Sequence, residues 1–253
     1  FVLQMTKEEL IKNWTARIKP EAMEKFQECL NRRIKREPVA YIVGYKHFMG
    51  QKFIVDNRVL IPRPETEIMA EKAIHLIKKW PLASEQLAVV DVGTGCGNIA
   101  LTMAKVANFV KVFAIDIDPA AIEVAKINAS LHNLEQNVAL IQGDLLISLP
   151  QPVQIIVANL PYICEADYEN LEPEIRLYEP KSALTAGADG LDLYRRLLAQ
   201  APQYLLKGGV VLMEIDPQQV GHLRTIVLQN LPSAEIEVLK DLQGLDRVLM
   251  VQV

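Results

Sequence analysis

Only three cysteines occur in the 253 residues, Cys29, Cys96 and Cys164, and they lie too far apart for a CxxC pair. That spacing excludes a zinc ribbon or a disulfide-stapled scaffold and suits a reducing compartment, so a cytoplasmic protein is expected. The four histidines, His47, His75, His132 and His222, are scattered without metal-ligand spacing, and no metal is expected. Basic charge is not in excess: 27 Lys and Arg against 31 Asp and Glu leave a net charge of −4. Long nucleic-acid tracks favour basic stripes, so a direct nucleic-acid substrate is not expected, although a local basic patch is compatible with this charge. No apolar run approaches the roughly 20 residues of a membrane-spanning helix, so no membrane partner is expected. The opening FVLQMTKEEL has neither the basic start nor the apolar segment of a signal peptide. It begins on Phe1 rather than Met, so the first segment is expected to be shortened. Internal repeats and low-complexity tracts are missing as well.

What is present is apolar residue, half of the chain, enough for a sizeable core. The first 37 residues pattern as helices: Thr6-Lys7-Glu8-Glu9 predicts a capping box, and Pro20 opens a second helix ending before Pro38. YKHFMGQKFIVDNRVLI, 45–61, alternates and breaks at Met49-Gly50 and Asp56-Asn57, which predicts a small hairpin. A hinge is expected at Pro62-Arg63-Pro64, then a helix to about Lys79. From Leu87 strands and helices alternate. Strands are expected over 87–92, 110–116, 138–142, 155–158 and 209–215, and helices over 98–106, 119–132, 189–202 and 217–229. Such alternation implies an α/β, Rossmann-like doubly wound sheet. The last two strands, 235–241 and 246–253, are joined by Leu242-Gln243-Gly244-Leu245, too short for a crossover helix, so they should pair as an antiparallel hairpin.

Strand 87–92 runs into Asp91-Val92-Gly93-Thr94-Gly95-Cys96-Gly97. Glycines there allow a tight turn and a close approach of a ligand to the backbone. Asp116 ends the next strand, about 20 residues on, where a carboxylate can accept both hydroxyls of a ribose. Asp144 follows the third strand, placed to receive an adenine amino group, and Asn159 follows the fourth. All of these fall on the edge where such sheets bind ligands. NAD competes as the cofactor, but its GxGxxG fingerprint differs from the GTGCGN found here. The terminal antiparallel hairpin resembles the sheet of class I S-adenosylmethionine-dependent methyltransferases, which favours S-adenosylmethionine, with S-adenosylhomocysteine as product.

The loop Asn159-Leu160-Pro161-Tyr162 resembles the (Asn/Asp/Ser)-Pro-Pro-Tyr loop of methyltransferases that act on planar nitrogens. The lone pair of such a nitrogen is delocalised. Hydrogen bonds from its NH2 to the Asn159 side-chain oxygen and the Leu160 carbonyl would direct that lone pair at the methyl group and stabilise the positive charge that develops. Tyr162 can pack against the flat group. Leu160 stands where Pro is usual, but the role needs a backbone carbonyl, and Pro161 still holds the preceding residue extended. Asn-Leu-Pro-Tyr is also the form found in ribosomal RNA adenine dimethyltransferases.

Beyond that loop, REPVAYIVGYKHFMGQKFIVDNRVLIPRPETE (36–67), DVGTGCG, YEPKSALTAGADGLDLYRRL (178–197), LMEIDPQQ (212–219) and DLQGLDRV (241–248) resemble the HemK-type release factor glutamine methyltransferases, the PrmC family. Asp216, where that family usually has Gly, and Ala186, in place of the first of two glycines, depart from its pattern. The resemblance implies a class I methyltransferase domain over 65–253, a β-hairpin linker over 38–64 and a helical substrate-docking domain over 1–37. It implies methylation of the glutamine amide in the Gly-Gly-Gln motif of class 1 peptide chain release factors. Carried over by motif, Gly93, Thr94, Gly95, Cys96, Gly97 and Asp116 would hold the cofactor, Leu145 would lie near the adenine, and Asn159, Leu160, Pro161 and Tyr162 would hold the glutamine. Two other functions share parts of this pattern: adenine N6 methylation of RNA or DNA, and a non-catalytic S-adenosylmethionine-binding module. Arg63, Glu65 and Thr66 are compatible with a stiff, Thr66-capped helix start or with a place over the site's mouth. Arg32, Arg33, Lys35 and Arg36 read as a solvated helix face rather than a partner site.

Overall fold

A computed structural model describes residues 1–80, 87–107 and 109–253. Helix α1 (Lys7–Lys12) starts on the expected capping box, with Thr6 and Glu9 each accepting the other's backbone N–H. Pro20 opens α2 (Pro20–Ile34). A further short helix, α3 (Val39–Val43), follows where a hairpin linker alone was expected, and it stops at Gly44 in the left-handed region. Strands β1 (Tyr45–Phe48) and β2 (Gln51–Ile54) then form the predicted hairpin. Its two-residue turn puts Met49 and Gly50 at positive φ, the twist that suits a tight hairpin. Helix α4 spans Thr66–Lys79.

The alternating part comprises β3 (Ala88–Val92), α5 (Asn98–Val106), β4 (Lys111–Asp116), α6 (Pro119–Leu131), β5 (Val138–Gln142) and β6 (Val153–Ala158). Two short helices, α7 (Glu165–Tyr168) and α8 (Pro173–Arg176), precede α9 (Asp192–Tyr204), β7 (Leu205–Glu214), α10 (Val220–Asn230), β8 (Glu235–Lys240) and β9 (Asp246–Gln252). Strand β7 begins at Leu205, earlier than the apolar run suggested, because a bulge between the Val153 and Ile155 pairings takes up the glycines before Val210. The seven-stranded order is β5-β4-β3-β6-β7-β9-β8, parallel from β5 to β7, with β9 antiparallel to both neighbours. Side chains alternate between two cores: Val89, Val157 and Leu212 pack with α4 to α6, while Val90, Ile156 and Met213 pack with α9 and α10.

The basic cluster at the end of α2 is largely exposed, as expected, but it also pairs with groups elsewhere in the chain. Arg33 pairs with Glu174, Arg36 with Glu172 at 3.0 Å, and the Tyr178 hydroxyl donates to the Lys35 carbonyl at 2.7 Å. Arg32 turns to Glu37. The helical segment is thereby tied to the stretch around α8, a long-range pairing that charge patterning within one helix cannot reveal.

Candidate functional site

Strand order reverses between β3 and β6, and ligands of open α/β sheets bind beyond the carboxyl ends of the strands at such a point. An open cleft of about 1050 Å³ lies there. Its wall includes Gly93, Thr94, Gly95, Cys96, Asp116, Asp144, Leu145, Asn159, Leu160 and Pro161. A smaller cavity of about 520 Å³ adjoins it, lined by Tyr162, Glu214 and Ile175. Leu60, Arg63, Asn159, Leu160, Pro161 and Ala183 border both. The predicted residues thus divide into two groups that share one wall.

The glycine loop is fastened from below. Gly93 and Thr94 both donate backbone N–H bonds to the Ile115 carbonyl, at 2.8 and 2.9 Å. Asp91, fully buried, accepts from the Thr94 hydroxyl at 2.7 Å and from the Ala100 N–H at 3.1 Å, which ties the loop to the first turn of α5. Burial pushes the Asp91 carboxyl up to about 7, against those two bonds. Asp116 accepts the Gly95 N–H at 2.8 Å through one oxygen and the Asp118 N–H at 3.0 Å through the other. Burial raises its carboxyl, and each oxygen keeps a lone pair free. A side chain at Gly95 would meet no atom within 4 Å, so this glycine leaves open space above the loop. Gly97 lies off the cleft wall, as the residue before α5. Cys96 is buried and its thiol is pushed up to about 12, so it supplies no thiolate.

Asp144 faces the cleft, but Arg196 pairs with its Oδ2. Leu145 beside it adopts φ +52°, a left-handed conformation rare for a non-glycine residue, and is buried against the second core.

On the shared wall, Asn159 donates from Nδ2 to the Thr66 hydroxyl at 3.2 Å. Among the described residues nothing donates to its Oδ1 or to the Leu160 carbonyl, which leaves an acceptor on each of two consecutive residues. The Leu160 side chain is buried, and its N–H lies 3.4 Å from the Tyr194 hydroxyl. Tyr162 is held by its carbonyl, which accepts from Gln219 at 2.9 Å, and burial raises its phenol. Thr66 does not cap α4, as the sequence pattern suggested. It is the first helical residue, and Glu65 precedes the helix without a side-chain cap. Thr66 is buried, and its hydroxyl accepts from Asn159. Arg63 borders both cavities and pairs with the buried Glu179, which also accepts the Ile61 N–H at 3.0 Å.

Sequence reasoning passed over Glu179 and Glu214. Glu214 ends β7 on the same sheet edge and is only 3 % exposed, with Oε2 lacking a partner among the described residues. Burial pushes its carboxyl up to about 7, opposed by the polar Thr66 hydroxyl and by the charges of Arg247 and Arg63. The available signal was an acid closing an otherwise apolar strand, VVLME. Among the described residues no group of three His, Cys, Asp or Glu side chains could hold a metal ion, and no helix is long and apolar enough to cross a membrane.

A seven-stranded sheet of this order with a glycine loop and acids beyond its parallel strands defines a class I methyltransferase, and residues 83–230 match the family model described as a methyltransferase domain. Such enzymes use S-adenosylmethionine. The first 44 residues match the PrmC N-terminal domain. A release factor glutamine methyltransferase of Bacillus cereus is 36% identical over 254 residues, covering 99% of this chain and 89% of the relative. One from Clostridium acetobutylicum is 38% identical, covering 99% and 87%. The chain belongs to the release factor glutamine methyltransferase family. A solved structure of ribosomal protein L11 methylase from Lactobacillus delbrueckii subsp. bulgaricus shares the fold, with a TM-score of 0.55 at 23% identity over 82% of this chain and 89% of that one.

Proposed function

We propose that this protein transfers the methyl group of S-adenosylmethionine to the side-chain amide nitrogen of the glutamine in the Gly-Gly-Gln motif of class 1 peptide chain release factors, giving N5-methylglutamine. The observation that carries this reading is Asn159 in the wall common to two cavities, with neither its Oδ1 nor the Leu160 carbonyl taking a hydrogen bond among the described residues. An amide NH2 has two donors and needs two acceptors in its plane.

The larger cleft has a place for each part of the cofactor. The remaining lone pairs of Asp116 suit a ribose diol, Asp144 Oδ1 and the Leu145 side chain suit the adenine, and the Gly93-to-Gly97 loop lets the amino-acid end approach the backbone. When bound, S-adenosylmethionine supplies a methyl group on a positively charged sulfur, a strong electrophile that leaves as neutral S-adenosylhomocysteine. Asn159 and Leu160 hold the glutamine amide from the smaller cavity, and Tyr162 and Pro161 confine its plane. Holding the nitrogen near the methyl group replaces a chance encounter, and the two acceptors stabilise the charge that grows on nitrogen. The extra proton then passes to water, so no strong base is required, and this route needs no metal. The cytoplasm, where release factors act, is the compartment this reading assigns.

The test is incubation with labelled S-adenosylmethionine and three separate acceptors: a release factor, the same factor with its Gly-Gly-Gln glutamine changed, and structured RNA. Label on the intact factor alone is expected. Label on RNA alone would favour adenine methylation, and cofactor binding without any label would favour a binding module.

A further inference from the structure

Ile175 lines the smaller cavity together with Asn159 and Tyr162. It sits on α8, a four-residue helix with no buried residue. The neighbouring α7 buries none either, and no residue from 163 to 177 joins either core. The two helices are tied to each other, by the Tyr168 hydroxyl donating to the Arg176 carbonyl at 2.9 Å and by Arg176 pairing with Glu169. Core packing therefore does not fix where Ile175 stands. The chain is anchored four residues later, at Glu179, by Arg63 and the Ile61 N–H. That leaves the start of α8 to be held from elsewhere.

The end of α2 supplies the hold. Arg33 pairs with Glu174, Arg36 pairs with Glu172 at 3.0 Å, and the Lys35 carbonyl accepts from the Tyr178 hydroxyl at 2.7 Å. Arg33 also donates to the Glu37 carbonyl at 3.1 Å, so its guanidinium is fixed to its own segment as well. The hydrogen bond from Arg33 holds the Glu174 carboxyl below its ordinary value, so this pair stays ionised at neutral pH. One exposed ion pair stabilises little. Here three contacts converge on residues 172–178, and a segment without core packing needs little to select its place. Successive residues of a helix point about 100° apart. Glu174 can thus be held by α2 while Ile175, the next residue, faces the cavity.

We propose that the end of α2, through Arg33, Arg36 and the Lys35 carbonyl, sets the place of α8 and hence of Ile175 in the cavity wall. Arg33 and Arg36 are then positioning residues for methyl transfer, and the helical segment shapes the acceptor cavity itself. This rests on the reading of the smaller cavity as the seat of the acceptor amide. A displaced wall lets the amide turn away from the methyl group, so the loss falls on turnover and not on cofactor binding.

The test uses Arg33→Glu, Glu174→Arg, the two together, Ile175→Ala, and Ile175→Ala combined with Arg33→Glu. For each, kcat and KM are measured at saturating S-adenosylmethionine on whichever acceptor the wild type labels. Cofactor affinity and amide hydrogen exchange over 165–178 are measured on the protein alone. Arg33→Glu is expected to lower kcat by about threefold or more, with cofactor affinity held within about twofold. Exchange in α8 should quicken by about threefold or more. The charge-swapped pair should recover kcat to within about twofold of wild type. Ile175→Ala should also lower kcat, and adding Arg33→Glu to it should cost less than about twofold more, since both act through one wall. A raised KM with unchanged kcat would make Arg33 a docking group only and overturn the proposal. Absence of rescue in the swapped pair, or equal exchange in wild type and Arg33→Glu, would overturn it too. A wild type that labels RNA and no release factor would instead overturn the glutamine reading, and the same variants would still decide this one.

Discussion

Leu160 lies so close to Gly93 that a Cβ added to the glycine would stand 2.9 Å from Leu160 Cδ2. The contact joins the glycine loop to the Asn159–Tyr162 loop. It follows from the sheet, because Val92 and Ala158 are register partners on adjacent parallel strands and the two loops leave from that rung. Gly93 also has φ +73°, where a side chain is strained. Gly93→Ala is therefore expected to weaken S-adenosylmethionine binding by about tenfold or more and to cost about 1–3 kcal/mol of stability. Calorimetric titration and denaturant unfolding would measure the two. Wild-type affinity in the variant would show that the two loops yield independently.

Asn159→Ala should lower turnover by about 10²–10³-fold, the usual loss when a preorganised hydrogen-bonding group aimed at developing charge is removed. Cofactor affinity should change little, since Gly93, Asp116 and Leu145 remain. Single-turnover rates on the release factor, with cofactor binding measured separately, would check this. Full turnover would remove Asn159 from the reaction.

Leu160→Pro restores the commoner form of the loop. It should change turnover by less than about tenfold, under roughly 1.4 kcal/mol. The carbonyl is retained, and the N–H that is lost makes only a 3.4 Å contact with the Tyr194 hydroxyl. A larger drop in kcat would mean that the buried leucine side chain, rather than the carbonyl alone, sets the loop.

Glu179 holds both Arg63 and the Ile61 N–H beneath the segment that borders the two cavities. Glu179→Ala would leave the Ile61 N–H and a partly buried guanidinium without their partner, an expected loss of about 3 kcal/mol in unfolding free energy. Glu179→Gln should lose less, since the amide oxygen can still accept. Equal melting temperatures for wild type and Glu179→Ala would refute the assignment.

Glu214 makes stability depend on pH. Its carboxyl titrates near 7 in the folded chain against an ordinary value of 4.5, and Arg63, Glu65, Arg247, Tyr162 and Tyr194 are the charged or titratable groups around it. Between those two values the folded protein keeps a proton that the unfolded chain has released. Stability from this group therefore falls as pH rises from 4.5 to about 7 and stays lower above it. Glu214→Gln has no such proton, so its stability relative to wild type should rise with pH across that window. Denaturant titrations at several pH values would show the trend, and a flat difference would contradict it.

Much of this architecture could be read along the chain. Periodicity located the strands that carry the site, Thr6 and Pro20 announced two helix starts, and the four-residue Leu242–Leu245 connection required the last hairpin to be antiparallel. Gly93, Asp116, Asp144 and Asn159 each stood at the end of an apolar run, and parallel connections bring such ends to one edge. The division of that edge into two cavities was not legible. It depends on which strands are neighbours, and so did the pairing of Arg33 and Arg36 with Glu174 and Glu172. Thr66 read as a helix cap because local spacing knows only its own helix. Glu214 read only as the end of a strand. Local sequence determined what each segment becomes, because backbone propensity and apolar period act over a few residues. Only the tertiary structure decided which lone pairs remain free at Asn159, because hydrogen-bond partners are chosen in space.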